Sequence, residues 1–240
     1  MENLRVSTIT AIGHLFKNNI DLFQIYKNID IDDKIKYIKY RELEKGIVIK
    51  KKKIKRDFFN QMTIHVYDGV KKNGGKVNIK LFNNGRIQMT GLILIEQGAN
   101  IIKLLQELLK SNKEIDLVED ENVNLEVVLI NSDFDYGKSV DCDKLYQYLL
   151  ENNIYVTYES CIYPGVNIKY FYLNDNTTGI CKCCEQCDGK GDGINKCKKV
   201  TIAVFHSGKV IITGGRSFDQ IEKSYYFIIK ILNEIFKNIR

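Results

Sequence analysis

The sequence predicts an α+β fold in which one unit is used twice. Three observations carry that expectation. The hairpin-like stretch "VNIKLFNNGRIQMTGL" at residues 77–92 is written again as "VTIAVFHSGKVIITGG" at 200–215. Within each copy apolar and polar residues alternate, the period of a strand with one buried face. Each copy then runs into a stretch with apolar residues at helical spacing.

The repeat covers more than a hairpin. At an offset of 123 residues, Lys76, Val77, Ile79, Phe82, Gly85, Thr90 and Gly91 recur as Lys199, Val200, Ile202, Phe205, Gly208, Thr213 and Gly214. Arg86 and Lys209 agree in charge. Near the start of each half, "NLRVSTI" (3–9) is echoed by "NLEVVLI" (124–130). Each half is therefore expected to run strand, helix, several strands, helix. The boundaries drawn are a first repeat over 1–115, a linker over 116–122 and a second repeat over 123–240. The linker ends the acidic, polar stretch "SNKEIDLVEDEN" (111–122).

The elements follow from their patterns. In the first hairpin Val77, Ile79 and Leu81 face one side, and Lys76, Asn78, Lys80 and Phe82 the other. In the second, Val200, Ile202 and Val204 point to the core, and Lys199, Thr201, Ala203 and Phe205 away from it. After the turn, Ile87 and Met89, or Val210 and Ile212, point inward. Arg86, Gln88 and Thr90, or Lys209, Ile211 and Thr213, point outward. The closing helices present Ile101, Leu104, Leu105 and Leu108 in the first half. In the second they present Tyr225, Ile228, Ile229, Ile231, Leu232 and Ile235.

Bulk properties bound the function. The chain has 240 residues, a net charge of +6 and an isoelectric point near 8.8, which favours a polyanionic partner. No apolar run reaches the roughly 18–20 residues that span a bilayer, and "MENLRVSTIT" lacks a signal-peptide pattern. An intracellular protein without a membrane or small-molecule partner is expected. Three histidines stand scattered at His14, His65 and His206, and no nucleophile–base pair or carboxylate cluster stands out, so no enzyme is expected.

Two segments interrupt the repeat. "GIVIKKKKIKRDFF" (46–59) is strongly basic; it suits either a solvated sheet edge or extra phosphate contacts. The second, assigned to 174–198, is cysteine-rich: five of the seven cysteines lie between Cys181 and Cys197. In a reducing compartment such a cluster reads as metal before disulfide. Cys181, Cys184 and Cys187 are spaced C-x2-C-x2-C, and Cys197 follows glycine-rich turns. Four thiolates at that spacing suit a tetrahedral structural zinc site, with Cys183 crowding the motif. A flexible loop without metal is the alternative.

The doubled pattern F-x-x-G-[KR]-x-x-x-T-G, each copy followed by a long helix, resembles the core of the TATA-box-binding protein family. "YESCIYPGVNIKYFY" (158–172) resembles that family's third-strand opening in the second repeat, and "VSTI" (6–9) its first strand. The likeness runs in order along almost the whole chain. The lysine-, isoleucine- and asparagine-rich wording fits a divergent copy from a large DNA virus or an AT-rich protist.

The resemblance implies a pseudo-twofold saddle: a curved ten-stranded antiparallel sheet with a concave DNA face and helices on the convex side. It implies binding in the minor groove of AT-rich promoter DNA, aromatic wedges that kink the duplex, and assembly with other initiation factors and RNA polymerase. A nuclear, viral-factory or virion location follows. In the family's pattern the wedges match Phe82 and Phe205, with Tyr163 and Phe59 as their partners and Phe58 as the other candidate for the last. The groove-floor residues match Thr90, Thr213 and Ile211, with Asn3 and Asn124 as the central asparagines. A gapless alignment of "VST" puts Leu4 at the first of these instead. The phosphate contacts match Arg86, Lys169, Lys209 and Arg216, and His65 takes the first-repeat place of Lys169. Glu159 matches a partner-binding residue, beside which Cys161 replaces a second acid. Lys80 and Gln88 replace apolar DNA-facing residues. That departure leaves room for a second reading, a saddle-shaped protein-interaction platform with weak or non-bending DNA contact.

Overall fold

The computed structural model describes residues 3–47, 59–70, 75–110, 117, 124–173, 176–183, 187–192 and 196–237. The chain divides into two compact units, Thr8–Val128 and Met1–Ser7 with Leu129–Arg240. Most of the first insertion and of the acidic linker lies outside the described residues, as does Phe58.

The first unit runs β1 (Arg5–His14, from Thr8 onward), α1 (Leu22–Asn28), β2 (Ile35–Tyr40), β3 (Leu43–Gly46), β4 (Gln61–Val66), β5 (Val77–Phe82), β6 (Arg86–Leu92) and α2 (Ile95–Leu109). Its strands are ordered β3-β2-β4-β5-β6-β1. The second runs β7 (Glu126–Asp135), α3 (Cys142–Glu151), β8 (Val156–Glu159), β9 (Tyr163–Tyr172), β10 (Lys198–Phe205), β11 (Lys209–Gly215) and α4 (Phe218–Lys237), with strand order β7-β11-β10-β9-β8. The described residues thus form eleven strands, one more than the ten expected. The addition is β3, which doubles back on β2 through Arg41-Glu42, with Arg41 in the left-handed region at φ 53°.

The alternation read from the sequence builds each core. Val77, Ile79, Leu81, Ile87 and Met89 are fully buried in the first unit, as are Val200, Ile202, Val204, Val210 and Ile212 in the second. Burying such a side chain contributes roughly 1.5–3 kcal/mol. In the first unit α1 packs on β2 and β4, and α2 on β6. In the second α3 packs on β8 and β9, and α4 on β9, β10 and β11. The helix stripes sit slightly rotated from expectation. In α2 Ile102 and Leu109 are buried along with Ile101 and Leu105, while Leu104 and Leu108 are only half-buried. In α4 Ile221, Ser224 and Phe227 join Ile228, Ile231 and Leu232, leaving Tyr225, Ile229 and Ile235 half-buried. Among the described residues no helix is long and apolar enough to cross a membrane.

Matching polar details fix the joints of the repeat. Asp21 and Asp141 cap the first helix of each unit, accepting from Phe23 N and Lys144 N. Gln97 accepts from Ile93 N at 2.9 Å, and Gln220, one repeat later, accepts from Arg216 N at 2.7 Å. Each side chain ties the strand end to the helix that follows. The hairpin turns are held alike: Gly85 O accepts from Leu15 N, and Gly208 O from Tyr136 N, both at 2.9 Å.

Candidate nucleic-acid interface

One face of each sheet carries the helices; the other is open, and the register orders its side chains into rows. In the first unit Thr10, Thr90, Asn78 and His65 form one row, and Ile12, Gln88, Lys80 and Thr63 the next. In the second unit the matching rows are Asn131, Thr213, Thr201 and Lys169, then Asp133, Ile211, Ala203 and Asn167. Row by row, His65 stands where Lys169 stands in the other repeat.

The row through Thr213 is a short polar ladder. The Thr213 hydroxyl donates to Asn131 Oδ1, and Lys169 Nζ donates to Thr201 Oγ1 at 3.1 Å. In the first unit Thr10 Oγ1 donates to Thr90 Oγ1 at 3.4 Å. Around these threonines lie carbonyl and hydroxyl oxygens that are buried without a hydrogen-bond partner: Asn78 Oδ1, Asn167 Oδ1 and Thr8 Oγ1. Polar groups shielded in this way cost about 1–3 kcal/mol each unless a partner arrives.

Phe82 and Phe205 terminate β5 and β10. Phe82 pairs with Gln61, and Phe205 with Gly165. Phe59 and Tyr163 each stand two residues before those partners, so the register makes them equivalent. In the second unit Tyr163 and Phe205 touch edge to face, ring centroids 5.6 Å apart at 65°. Gly165 permits that approach: a Cβ there would lie 2.9 Å from Tyr163 Cε1 and 3.0 Å from Phe205 Cε1. In the first unit Gln61 occupies the glycine's place. The Phe59 ring is 75% exposed and lies 5.6 Å from the Arg41 guanidinium.

Charge is distributed unevenly. Arg86 and Lys209 are exposed at the hairpin turns, opposite His14 and Asp135. Lys169 is half-buried, and burial, then the nearby Lys199 charge, push its pKa below the ordinary lysine value. An anion at Lys169 would relieve both effects. Arg216, matched to a phosphate contact, is instead engaged: its Nη1 donates to Asp192 Oδ1 at 2.7 Å. Asp133 stands on the open face itself, gripped by Arg5 Nη2 at 2.9 and 3.1 Å. A groove of about 490 Å³ runs beside Phe205, lined by Ser7, Asp133, Asp135, Lys209 and Ile211.

The remaining candidates fall as follows. Asn3 and Asn124 lie ahead of β1 and β7, both exposed, outside the paired rows. Asn131 is the asparagine that faces Thr213 within the row. Ile211 is 39% exposed on the open face. Glu159 ends β8 and is exposed, next to the turn that carries Cys161 and the 79%-exposed Ile162. Three of the four cysteines in the spacing-based set, Cys181, Cys187 and Cys197, come together. Cys184 lies outside the described residues, while Cys183 joins Cys181, Cys187 and Cys197, their sulfurs all within 4.8 Å of one another.

Comparison with known proteins agrees with this architecture. The family model described as transcription factor TFIID (or TATA-binding protein, TBP) matches residues 124–235. A "TATA-box-binding protein-like" protein of Acanthamoeba polyphaga mimivirus is 31% identical over 266 residues, covering 99% of this chain and 67% of that protein. The solved structure of Methanococcus jannaschii TBP superposes with a TM-score of 0.63 at 19% identity, covering 97% of this chain and 99% of that one. With its two matching α+β repeats, the chain has the fold of that structure and belongs to the TATA-box-binding protein family of transcription factors.

Proposed function

We propose that the open face of each repeat binds the minor groove of AT-rich duplex DNA. In this reading the aromatic residues at the strand ends enter base steps and kink the duplex, and the bound protein gathers other initiation factors and an RNA polymerase. The observation that carries this reading is the doubled open face, with threonine in a cross-strand row and phenylalanine at the end of the neighbouring strand in both repeats. The minor groove floor of A·T pairs offers acceptors alone, so it suits the Thr90 hydroxyl, which accepts from Thr10, and the amide nitrogen of Asn131, whose oxygen takes the Thr213 proton. A G·C pair projects an amino group into that floor and collides with a close-fitting sheet. Apolar side chains pushed between base steps unstack them, and a bent duplex covers more protein surface. Phe82, Phe205, Tyr163 and the exposed Phe59 supply such side chains. Lys169, Lys209 and Arg86 supply phosphate contacts around them.

Asp133 on the open face, with Lys80 and Gln88 in apolar places, favours a second reading in which this face serves mainly as a protein platform. Anisotropy titrations of matched AT-rich and GC-rich duplexes across a salt series separate the two. Minor-groove binding predicts AT preference, with each unfavourable pair costing about 1–3 kcal/mol, and affinity that falls linearly on a log–log salt plot. Equal, weak binding to both duplexes overturns it and leaves the platform.

A further inference from the structure

We infer that the insertion between β9 and β10 is a zinc knuckle whose ligands are Cys181, Cys183, Cys187 and Cys197. Their four sulfurs converge within 4.8 Å. A tetrahedral Zn–S4 centre, with bonds of about 2.3 Å, separates its sulfurs by about 3.8 Å, so the cluster needs only small adjustments to close around an ion. Cys197 is fully buried at the start of β10, and the other three are half-buried. Cys183 Sγ lies 3.3 Å from Cys197 Sγ and accepts from Cys197 N at 3.4 Å. A backbone N–H aimed at a sulfur is a partner suited to a metal-bound thiolate.

The described part of the surrounding loop is tied together by polar contacts around this cluster. Asn176, 4% exposed, knits its first arm: Nδ2 donates to Ile180 O at 2.6 Å, and Oδ1 accepts from Thr178 N at 3.1 Å. Phe171 N donates to Gly179 O at 2.9 Å, and Lys199 N to Gly189 O at 2.8 Å, so both arms are tied to the outgoing and returning strands. Between them, among the described residues 177–196, none is a buried large apolar side chain. A loop without a core needs another source of order, and metal–thiolate bonds provide it. Four thiolates and one Zn²⁺ leave a charge of about −2, offset by Lys182, Lys196 and Lys198, which neighbour the ligands in sequence. No coordination position stays open, so the ion is structural. The same loop carries Asp192 to Arg216, which makes the ordered knuckle a competitor for a cation that the family pattern would give to phosphate.

Metal analysis of the purified full chain, with single serine variants, tests the assignment. Wild type and Cys184→Ser are expected to carry about one zinc per chain, and Cys183→Ser and Cys187→Ser to lose it. Cobalt substitution of chelator-stripped wild type should give the intense sulfur-to-cobalt charge-transfer bands and visible d–d bands of a tetrahedral tetrathiolate site. That spectrum tests the site even where a variant fails to fold. Zinc lost on Cys184→Ser, or retained by Cys183→Ser, overturns the ligand set. Metal-free wild type that gives no such cobalt spectrum, or that carries a Cys183–Cys197 disulfide by mass spectrometry under reducing purification, overturns the site. None of these outcomes depends on whether the protein binds DNA.

Discussion

Replacing Gly208 with alanine isolates the turn that follows Phe205. Gly208 sits at φ 85° in the turn after Phe205, and its N–H donates to Phe205 O at 2.9 Å. An added Cβ would lie 2.2 Å from the backbone oxygen of Lys138, a contact that side-chain rotation cannot relieve. Gly137 is the matched control: its φ is 80°, and a Cβ there meets nothing within 4 Å. Both variants carry the left-handed penalty of about 1–2 kcal/mol. Gly208→Ala adds the collision, worth roughly 1–3 kcal/mol by analogy with overpacked sites. That extra term corresponds to a Tm lower by about 2–12 °C than that of Gly137→Ala for a chain of this size. Thermal melts followed by circular dichroism, with the wild type alongside, read the difference. Equal melting of the two variants would refute the claim that the Lys138 carbonyl fixes this turn. The equivalent Gly85, whose Cβ would lie 2.6 Å from Phe16 O, should behave like Gly208.

Other consequences concern the open face. Lys209→Gln should lower the slope of log affinity against log salt by about one, whereas Arg216→Gln, already paired with Asp192, should change it less; equal changes would contradict the ion-pair assignment. Thr90→Val with Thr213→Val keeps shape but removes the Thr90 donor and the Thr213 hydroxyl that orients Asn131, so AT-over-GC preference in anisotropy titrations should shrink, each lost contact being worth about 1–3 kcal/mol. Gly165→Ala should force the Tyr163 and Phe205 rings apart and reduce bending, while the melt changes little because the displaced atoms are side-chain atoms. Asp133→Asn should tighten DNA binding at low salt, as a like charge leaves the face; weaker binding would mean that Asp133 organises Arg5 for the contact.

What could be read from the sequence was what repeats or alternates locally. The places of Phe82, Phe205, Thr90 and Thr213 on one face follow from period two, and their doubling marked them out. Residues brought together by strand register left no such trace. Asn131 meets Thr213, and Asn167 meets Ala203, only because β11 and β9 pair as they do. The same register set Asp133 on the open face, opposite Ile211. The approach of Cys183 to Cys197 likewise leaves no mark in the C-x2-C spacing, because it depends on how the loop returns to β10. Arg216 carried the signal of a free phosphate ligand, and its partner Asp192 belongs to an insertion that the repeat could not describe. The helix stripes were rotated because leucines at helical spacing occur on two adjoining faces of α2, and packing on β6 selects between them.

Bend measurement on an end-labelled AT-rich duplex tests the central claim most directly. Energy transfer between the ends should rise when wild-type protein binds, and rise far less with a GC-rich duplex. Phe82→Ala with Phe205→Ala should abolish most of that rise while retaining salt-sensitive binding, because the phosphate contacts stay. A doubly substituted protein that bends the AT-rich duplex as fully as wild type, or a wild type that binds without bending, would contradict the assignment of these phenylalanines as wedges.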